Sequence, residues 1–435
     1  MKICLVSRSI PIHVPGGFEK YIFDVAFGLT RRGHEVHVIT KRLPKDRVGE
    51  EIKEMNGVHL HYVGPRSTRF WYSVSFFIEM GKRLAELDNE CHFDIIHSNN
   101  LSAFSMSLIR PSNAWPPLVT TAHGTATSEY LSHARGVFKK VVGSIRFLPP
   151  VIPEYVTFAR SMKIIAVAPR VKLQVEQMCK KLGKKDLVIF NGIDERLFHP
   201  DDQSSRHETV TILYTGNVSA SKGVPTLYRV FKRLCVKYPR LRLRVVGGGP
   251  YLSELRNQVH SDHLEKVVRL DGYTAPSMMP GIYRQGDIFV LPTESQEGFS
   301  FSILEALATA LPTIASSDCH VAHLFDKHHC GLVYPARDEA RLSGLVESLV
   351  NKSELRESLG RAGRELVLKR FTVDRMIDGI ERTYQRVIDL EKINNRTRCR
   401  NWCGRHLDKC RYCGEEDCRN RLKQADDSVY IGKYE

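Results

Sequence analysis

The segment Pro292–Ser316 (PTESQEGFSFSILEALATALPTIAS) sets two carboxylates, Glu297 and Glu305, on either side of Gly298, Phe299 and Ser300, with a helix expected to begin near Phe301. Free N–H groups at a helix start attract anions, so the three intervening residues form a natural diphosphate seat. The flanking carboxylates can accept hydrogen bonds from hydroxyls on both sides of it, as a sugar nucleotide would require. A single pair of glutamates would read as ordinary helix-start charge; the combination points to a site. The run Gly216–Gly223 (GNVSASKG) follows the strand-like Val210–Thr215 and puts Lys222 just before another helix. There a lysine neutralises phosphate as a point charge without a metal, the alternative being a solvated surface lysine.

Two further groups sit in the first half. His123 follows Leu118–Ala122 in the tripeptide HGT; a lone histidine is more often structural than catalytic, so it counts only with companions. Gly16 and Gly17 follow the first strand and open a helix, where glycine lets backbone approach a ligand and helix amides face an anion. The pair also suits a simple turn and lacks the spaced-glycine dinucleotide fingerprint. No Asp-x-Asp occurs anywhere, so no obvious carboxylate pair holds a divalent ion on a diphosphate, and no cofactor is expected in catalysis.

Five of the eleven cysteines crowd near the C-terminus: Cys399, Cys403, Cys410, Cys413 and Cys418, with His406 among them. In a reducing compartment this favours a structural zinc knuckle over disulfides, with an iron–sulfur cluster or no metal as the other options. The spacing leaves open which four would bind. Cys4, Cys91, Cys179, Cys235, Cys319 and Cys330 are scattered, mostly among apolar neighbours, and read as reduced buried thiols.

The elements that must position these residues alternate. Lys2–Ser7, Glu35–Thr40, Phe93–His97, Leu118–Ala122, Ile164–Val167 and Leu187–Phe190 read as strands, and Phe18, Tyr21, Ile22, Val25 and Leu29 fall at helical spacing up to a stop at Gly33. After the polar stretch His199–Glu208 a second alternation begins, with strands Val210–Thr215, Leu241–Val246, Val267–Asp271, Ile288–Leu291 and Pro312–Ser316 and helices over Val224–Tyr238 and Phe301–Ala310. The predicted fold is α/β: two doubly wound, Rossmann-like domains (1–198 and 209–370) joined by a linker (199–208), then a helix crossing back (371–393) and a Cys-rich basic tail (394–435). Open α/β sheets bind ligands beyond the carboxyl ends of their strands, so the site should lie in the cleft between the domains.

The chain has 435 residues, 42% apolar and 26% charged, which excludes a disordered or fibrous protein. Its net charge of +15 favours an anionic partner. Between Leu131 and Phe190 twelve Lys and Arg face only Glu154, Glu176 and Asp186, and FKKVVGSIRFLPPVI mixes basic with apolar residues. Such a face suits an anionic lipid surface as well as plain solvent. Phe70–Phe77 (FWYSVSFF) suits an acceptor groove or core packing. No apolar run of spanning length occurs and MKICLVS enters a strand with no leader pattern, so the expectation is a cytoplasmic protein, peripheral on the inner face of the membrane.

With these motifs in order, the chain resembles the glycosyltransferases of family 4, retaining enzymes with the two-domain GT-B fold, from residue 1 to about 390. The resemblance rests on Gly16-Gly17 with Glu19, RRGHEVHVIT at Arg31–Thr40, HGT at His123, FNGIDERLFHP at Phe190–Pro200, GNVSASKG, VVGGGP at Val245–Pro250 and EGFSFSILEAL at Glu297–Leu307. It implies that Lys222 binds the diphosphate and stabilises the departing nucleotide, that Glu297 holds hydroxyls of the donated sugar, and that Glu305 binds the ribose. Phe299 and Ser300 would offer backbone N–H groups, and His123 would touch the sugar from the opposite domain. Gly16 and Gly17 would shape the donor-phosphate and acceptor side, and Gly272 and Tyr273 would contact the base. The implied mechanism is front-face attack in which the leaving phosphate helps deprotonate the acceptor. The chain departs from the pattern at Asn217, where many relatives have Arg, at Ala310, where glycine is common, at Cys319, His320 and His323 in place of paired glycines and an acid, and at Ala168 in place of serine. The resemblance does not cover the cysteine tail.

The leading reading is transfer of a sugar from a nucleotide donor to a glycan or lipid-linked acceptor, as in cell-envelope polysaccharide synthesis. A nucleotide-sugar epimerase on the same fold would consume donor without acceptor. A nucleic-acid-binding protein using the basic surface and cysteine knuckle would leave the donor-site constellation unexplained.

Overall fold

The computed structural model describes residues 1–13, 16–65, 71–109, 115–125, 151–178, 185–201, 208–295 and 297–403. The chain separates into two compact units, Met1–Thr383 and Tyr384–Glu435. The first unit holds two sheets.

One sheet is built from β1 (Lys2–Val6), β2 (Glu35–Lys41), β3 (Glu54–Met55), β4 (Val58–Val63), β5 (Ile95–Asn99), β6 (Leu118–Ala122), β7 (Lys163–Ala166) and β8 (Asp186–Val188), in the order β3-β4-β2-β1-β5-β6-β7-β8. All neighbours are parallel except β3 with β4. The other contains β9 (Val210–Thr215), β10 (Leu241–Val246), β11 (Val268–Gly272), β12 (Ile288–Leu291), β13 (Thr313–Ser316) and β14 (Leu332–Tyr334), in the order β11-β10-β9-β12-β13-β14. Each sheet reverses its winding once, between β1 and β5 and between β9 and β12. The crevice of a doubly wound sheet opens at that reversal.

The central strands β5, β6, β12 and β13 are buried along their whole length, as parallel strands covered by helices on both faces must be. Only β12 (IFVL) is apolar throughout; β5, β6 and β13 also bury His97, Ser98, Asn99, Thr120, Thr121, Thr313 and Ser316, and were legible from their apolar and β-branched residues. The strands that the sequence reading omits are β3, β4 and β14. β4 reads VHLHYV, with histidines on alternate positions, and the other two have two and three residues.

A crossover links the two sheets. Ile193 N–H donates to the Phe371 carbonyl at 2.8 Å and Val373 N–H to the Ile193 carbonyl at 3.0 Å, so the outgoing and returning strands pair with each other. A Cβ on Gly192 would lie 2.6 Å from the Val373 Cα, so only glycine admits this approach. Gly192→Ala is expected to cost about 1–3 kcal/mol, read as a lower urea midpoint at unchanged slope. Phe190, Phe299 and Phe371 cluster at the crossover with ring centroids 4.9–5.2 Å apart. One continuous core runs from Phe158 and Val171 through Ile193 and Phe198 into the second sheet's layers.

The last helix, Val373–Cys403, starts within the first unit. Its first turns return to the first domain: Ile377 packs onto Gly28, and Arg32 pairs with Asp378 at 2.6 Å and Glu381 at 2.7 Å. The helix continues ten residues beyond the expected end at Ile393, because the sequence up to Cys403 contains no glycine or proline to stop it. Cys399 and Cys403 therefore lie one helical turn apart. Cys410, Cys413, Cys418 and His406 lie outside the described residues, as do residues 202–207 of the expected linker and residues 131–150 and 179–184 of the basic stretch Leu131–Phe190.

Ala310 follows the helix Phe301–Ala308 with φ of 57°, in the left-handed region that glycine occupies without penalty. Ala310→Gly is expected to stabilise the fold by about 1 kcal/mol, measured as a raised melting temperature with unchanged turnover.

Candidate functional site

The second domain's half of the site is two loops pressed together. Beyond β9, Gly216 (φ 142°) turns the chain and Val218 N–H donates to the Gly248 carbonyl at 2.8 Å. Lys222 ends a single 3₁₀ turn, Ala220–Lys222, and Gly223 (φ 70°) sits so near the Pro292 carbonyl that no Cβ would fit. That approach brings the Lys222 ammonium onto the Glu297 carboxylate as an ion pair, about three-quarters buried on both sides. Glu297 is fixed through its backbone, its N–H donating to the Asp318 carbonyl and its carbonyl accepting from His320 N–H, each at 3.1 Å. Glu294 braces the loop: its carboxylate accepts from Thr226 Oγ1 at 2.7 Å and Arg337 Nε at 2.8 Å.

The helix Phe301–Ala308 follows, with Ser300 at its N-cap and no side chain bonded to its first amides among the described residues. The Phe299 ring belongs to the aromatic core, so this residue offers only its backbone to a ligand. Glu305, one turn into the helix, accepts from the Tyr283 hydroxyl at 2.8 Å, which also lies 2.5 Å from Thr215 Oγ1. Burial raises the Glu305 carboxyl to about 7, opposed by the Lys20 ammonium and the Tyr283 hydrogen bond.

The first domain closes the site from its strand ends. The helix Gly17–Arg31 opens directly at Gly17, where a Cβ would stand 3.0 Å from the Phe301 ring. Lys20 lies over the same ring, 5.2 Å from its centroid, and pairs with Asp24 at 2.7 Å. A Cβ at Gly298 would meet the His123 carbonyl at 3.1 Å, and Asn191 donates its side-chain N–H to the Phe299 carbonyl at 2.8 Å. The His123 ring is wedged between Phe18 and Tyr21, with Nε2 2.8 Å from Asn99 Oδ1. The Asn99 amide donates to Ser7 and Phe18, so its oxygen accepts from His123 Nε2–H. Burial lowers the imidazole to about 3, which keeps it neutral: it can exchange hydrogen bonds but carries no charge.

The structure thus gathers Gly16, Gly17, His123, Lys222, Glu297, Phe299, Ser300 and Glu305 around one interdomain crevice. Asn217 is exposed in the Gly216 loop, its carbonyl accepting from the Tyr214 hydroxyl at 2.8 Å. Gly272 ends β11 and ties to that loop through Gly247, whose N–H donates to the Gly272 carbonyl at 2.8 Å. Tyr273, next along, is 64% exposed. Sequence reasoning missed Lys20, Asp24, Asn99, Asn191, Thr215 and Tyr283. All but Asp24 matter through a partner distant in sequence, and only the helical spacing of Lys20 and Asp24, one turn apart, was available to flag any of them.

Two doubly wound sheets whose strand-end loops face each other across this crevice define the GT-B class of glycosyltransferases. Residues 15–197 match the family model described as Glycosyltransferase Family 4, and residues 195–366 that described as Glycosyl transferases group 1. The chain belongs to glycosyltransferase family 4. It is 24% identical over 410 residues to the uncharacterized glycosyltransferase MJ1607 of Methanocaldococcus jannaschii, covering 90% of this chain and 99% of that protein. It is 24% identical over 354 residues to a phosphatidyl-myo-inositol mannosyltransferase of Mycolicibacterium smegmatis, covering 79% and 83%. Among solved structures, Anabaena HepE in complex with UDP and glucose shares the fold with a TM-score of 0.70 at 18% identity, covering 88% of this chain and 99% of that one. Among the described residues, no helix is long and apolar enough to cross a membrane.

Proposed function

We propose that this glycosyltransferase moves a sugar from a nucleoside-diphosphate donor to a hydroxyl of a glycan or lipid-linked acceptor, with retention at the anomeric carbon and no divalent ion in the step. The observation that carries the reading is the convergence of Lys222, Glu297 and the Gly298–Ser300 amides beside Glu305, opposite Gly17 and His123.

Transfer breaks the bond between the anomeric carbon and the phosphate oxygen, forms one to the acceptor oxygen, and moves the acceptor proton to a phosphate oxygen on the same face. Negative charge grows on the departing diphosphate. The Lys222 ammonium and the N-terminal amides of the helix Phe301–Ala308 stand where it grows, which is where electrostatic catalysis acts. A donor diphosphate competes with Glu297 for Lys222 and releases that carboxylate to hold sugar hydroxyls. Glu305 takes the ribose hydroxyls and the exposed ring of Tyr273 supports the base. His123, held neutral, meets the sugar as a hydrogen-bonding group. Around it, closure of the two domains excludes water and limits hydrolysis of the donor. The HepE complex with UDP and glucose and the name of the mannosyltransferase relative support a nucleotide-sugar donor and a lipid acceptor. The basic composition between Leu131 and Phe190 supports work at an anionic membrane surface.

A panel of nucleotide sugars tested by thermal shift and by slow donor hydrolysis checks this. One donor is expected to raise the melting temperature in proportion to its affinity and to be hydrolysed slowly, with both effects lost in Lys222→Ala. Failure of every nucleotide sugar to shift or to hydrolyse would refute it.

A further inference from the structure

At the opposite, amino-terminal edge of the first sheet, the face that carries buried Ile39 changes character. Glu35 and His37 project there from β2, and Cys91 ends the helix Trp71–Cys91 that covers the sheet. One ligand atom each from Glu35, His37 and Cys91 lies within 4.8 Å of the others. His37 is 7% exposed; its Nε2 faces Glu35 Oε1 at 3.1 Å, and its Nδ1 faces Nε2 of His61 at 2.9 Å. His59, opposite His37 in the β2–β4 register, lies tilted against its ring with centroids 4.7 Å apart, and Phe93 closes another side at 5.2 Å.

We propose that Glu35, His37 and Cys91 form a binding site for a zinc-like divalent transition metal, separate from the glycosyl-transfer crevice. One imidazole nitrogen, one thiolate and one carboxylate oxygen make a donor set suited to tetrahedral zinc with a fourth, exchangeable position. On such an ion neighbouring ligand atoms stand roughly 3.3–3.8 Å apart, from metal–ligand bonds of about 2.0–2.3 Å. The exposed Glu35 side chain and the helix-end Cys91 close the difference by rotation, and Glu35, 40% exposed, gives the ion a path from solvent. Binding releases the thiol proton of Cys91 to solvent, while the neutral His37 ring takes the tautomer with its single proton on Nδ1 and leaves the Nε2 lone pair to the ion. The Nδ1–H of His37 then donates to His61, the outer partner that orients a metal-bound imidazole. Plain hydrogen bonding would satisfy His37 with Glu35 and His61 alone; it gives no reason for a thiol to complete the triad.

The test uses the full chain with Cys399, Cys403, Cys410, Cys413 and Cys418 changed to serine, so that the tail contributes no thiolate. Titrated with Co²⁺, this protein is expected to bind one ion with a thiolate-to-cobalt charge-transfer band and to lose the ion to Zn²⁺. Adding Cys91→Ser should abolish the band, Glu35→Gln should weaken binding at least tenfold, and His61→Phe should weaken it about tenfold to a hundredfold. Glycosyl transfer should be unchanged in Glu35→Gln and Cys91→Ser, which also reports that both fold. Absence of the band, or its persistence in Cys91→Ser, would overturn the assignment.

Discussion

Lys222→Ala is expected to lower turnover about 10²–10³-fold, the range seen when one preorganised stabiliser of developing charge is removed. The fold should survive, since Lys222 lies in a loop at the cleft and its ion pair with Glu297 is only three-quarters buried. Removing the lysine also strands the Glu297 carboxylate, so the single variant mixes two effects. The double variant Lys222→Ala with Glu297→Gln separates them. If Lys222 served only to neutralise Glu297, the double variant would regain activity; if it neutralises the leaving diphosphate, the double variant stays at least as slow. The proposed role predicts the second outcome, measured as kcat at saturating donor, with the melting temperature as the control for folding.

The second large effect is a pH dependence in donor binding. Burial holds the Glu305 carboxyl at about 7, against an ordinary 4.5. Ribose hydroxyls need an ionised acceptor, and a nucleotide sugar's diphosphate diester has no proton of its own to exchange in this range. Affinity for the donor should therefore fall about tenfold from pH 8 to pH 6, following the ionised fraction. Glu305→Gln should flatten that profile at a uniformly weaker level, and titration calorimetry at the two pH values decides it. Stability carries the opposite slope. The folded protein holds this proton more tightly than the unfolded chain, so the contribution is fully present below pH 4.5 and is given up as pH rises through about 7. A donor affinity that is flat between pH 6 and 8 in the unsubstituted protein would remove Glu305 from the ribose site.

The architecture was legible because it depends on local pattern. β6, β9, β10 and β12 fall at their expected bounds, and β1, β2, β5, β7, β11 and β13 within two residues of them. A parallel strand covered on both faces is mostly apolar, as in β1 (KICLV) and β12 (IFVL). Where burial was partial, as in β4 with His59 and His61, the apolar run broke and the strand was missed. The helix start at Phe301 and the place of Glu305 one turn into it were equally local.

Sequence alone therefore determined the two doubly wound sheets, the family resemblance and the loops that face the crevice, because strand periodicity, glycine placement and helix starts are properties of neighbouring residues. Only the tertiary structure decided that Lys222 meets Glu297, that Tyr283 and Lys20 bear on Glu305, and that His123 is neutral. Those facts depend on distances between side chains tens to hundreds of residues apart and on how much water each has lost. They decide charge and proton affinity at the crevice, and no spacing along the chain encodes them.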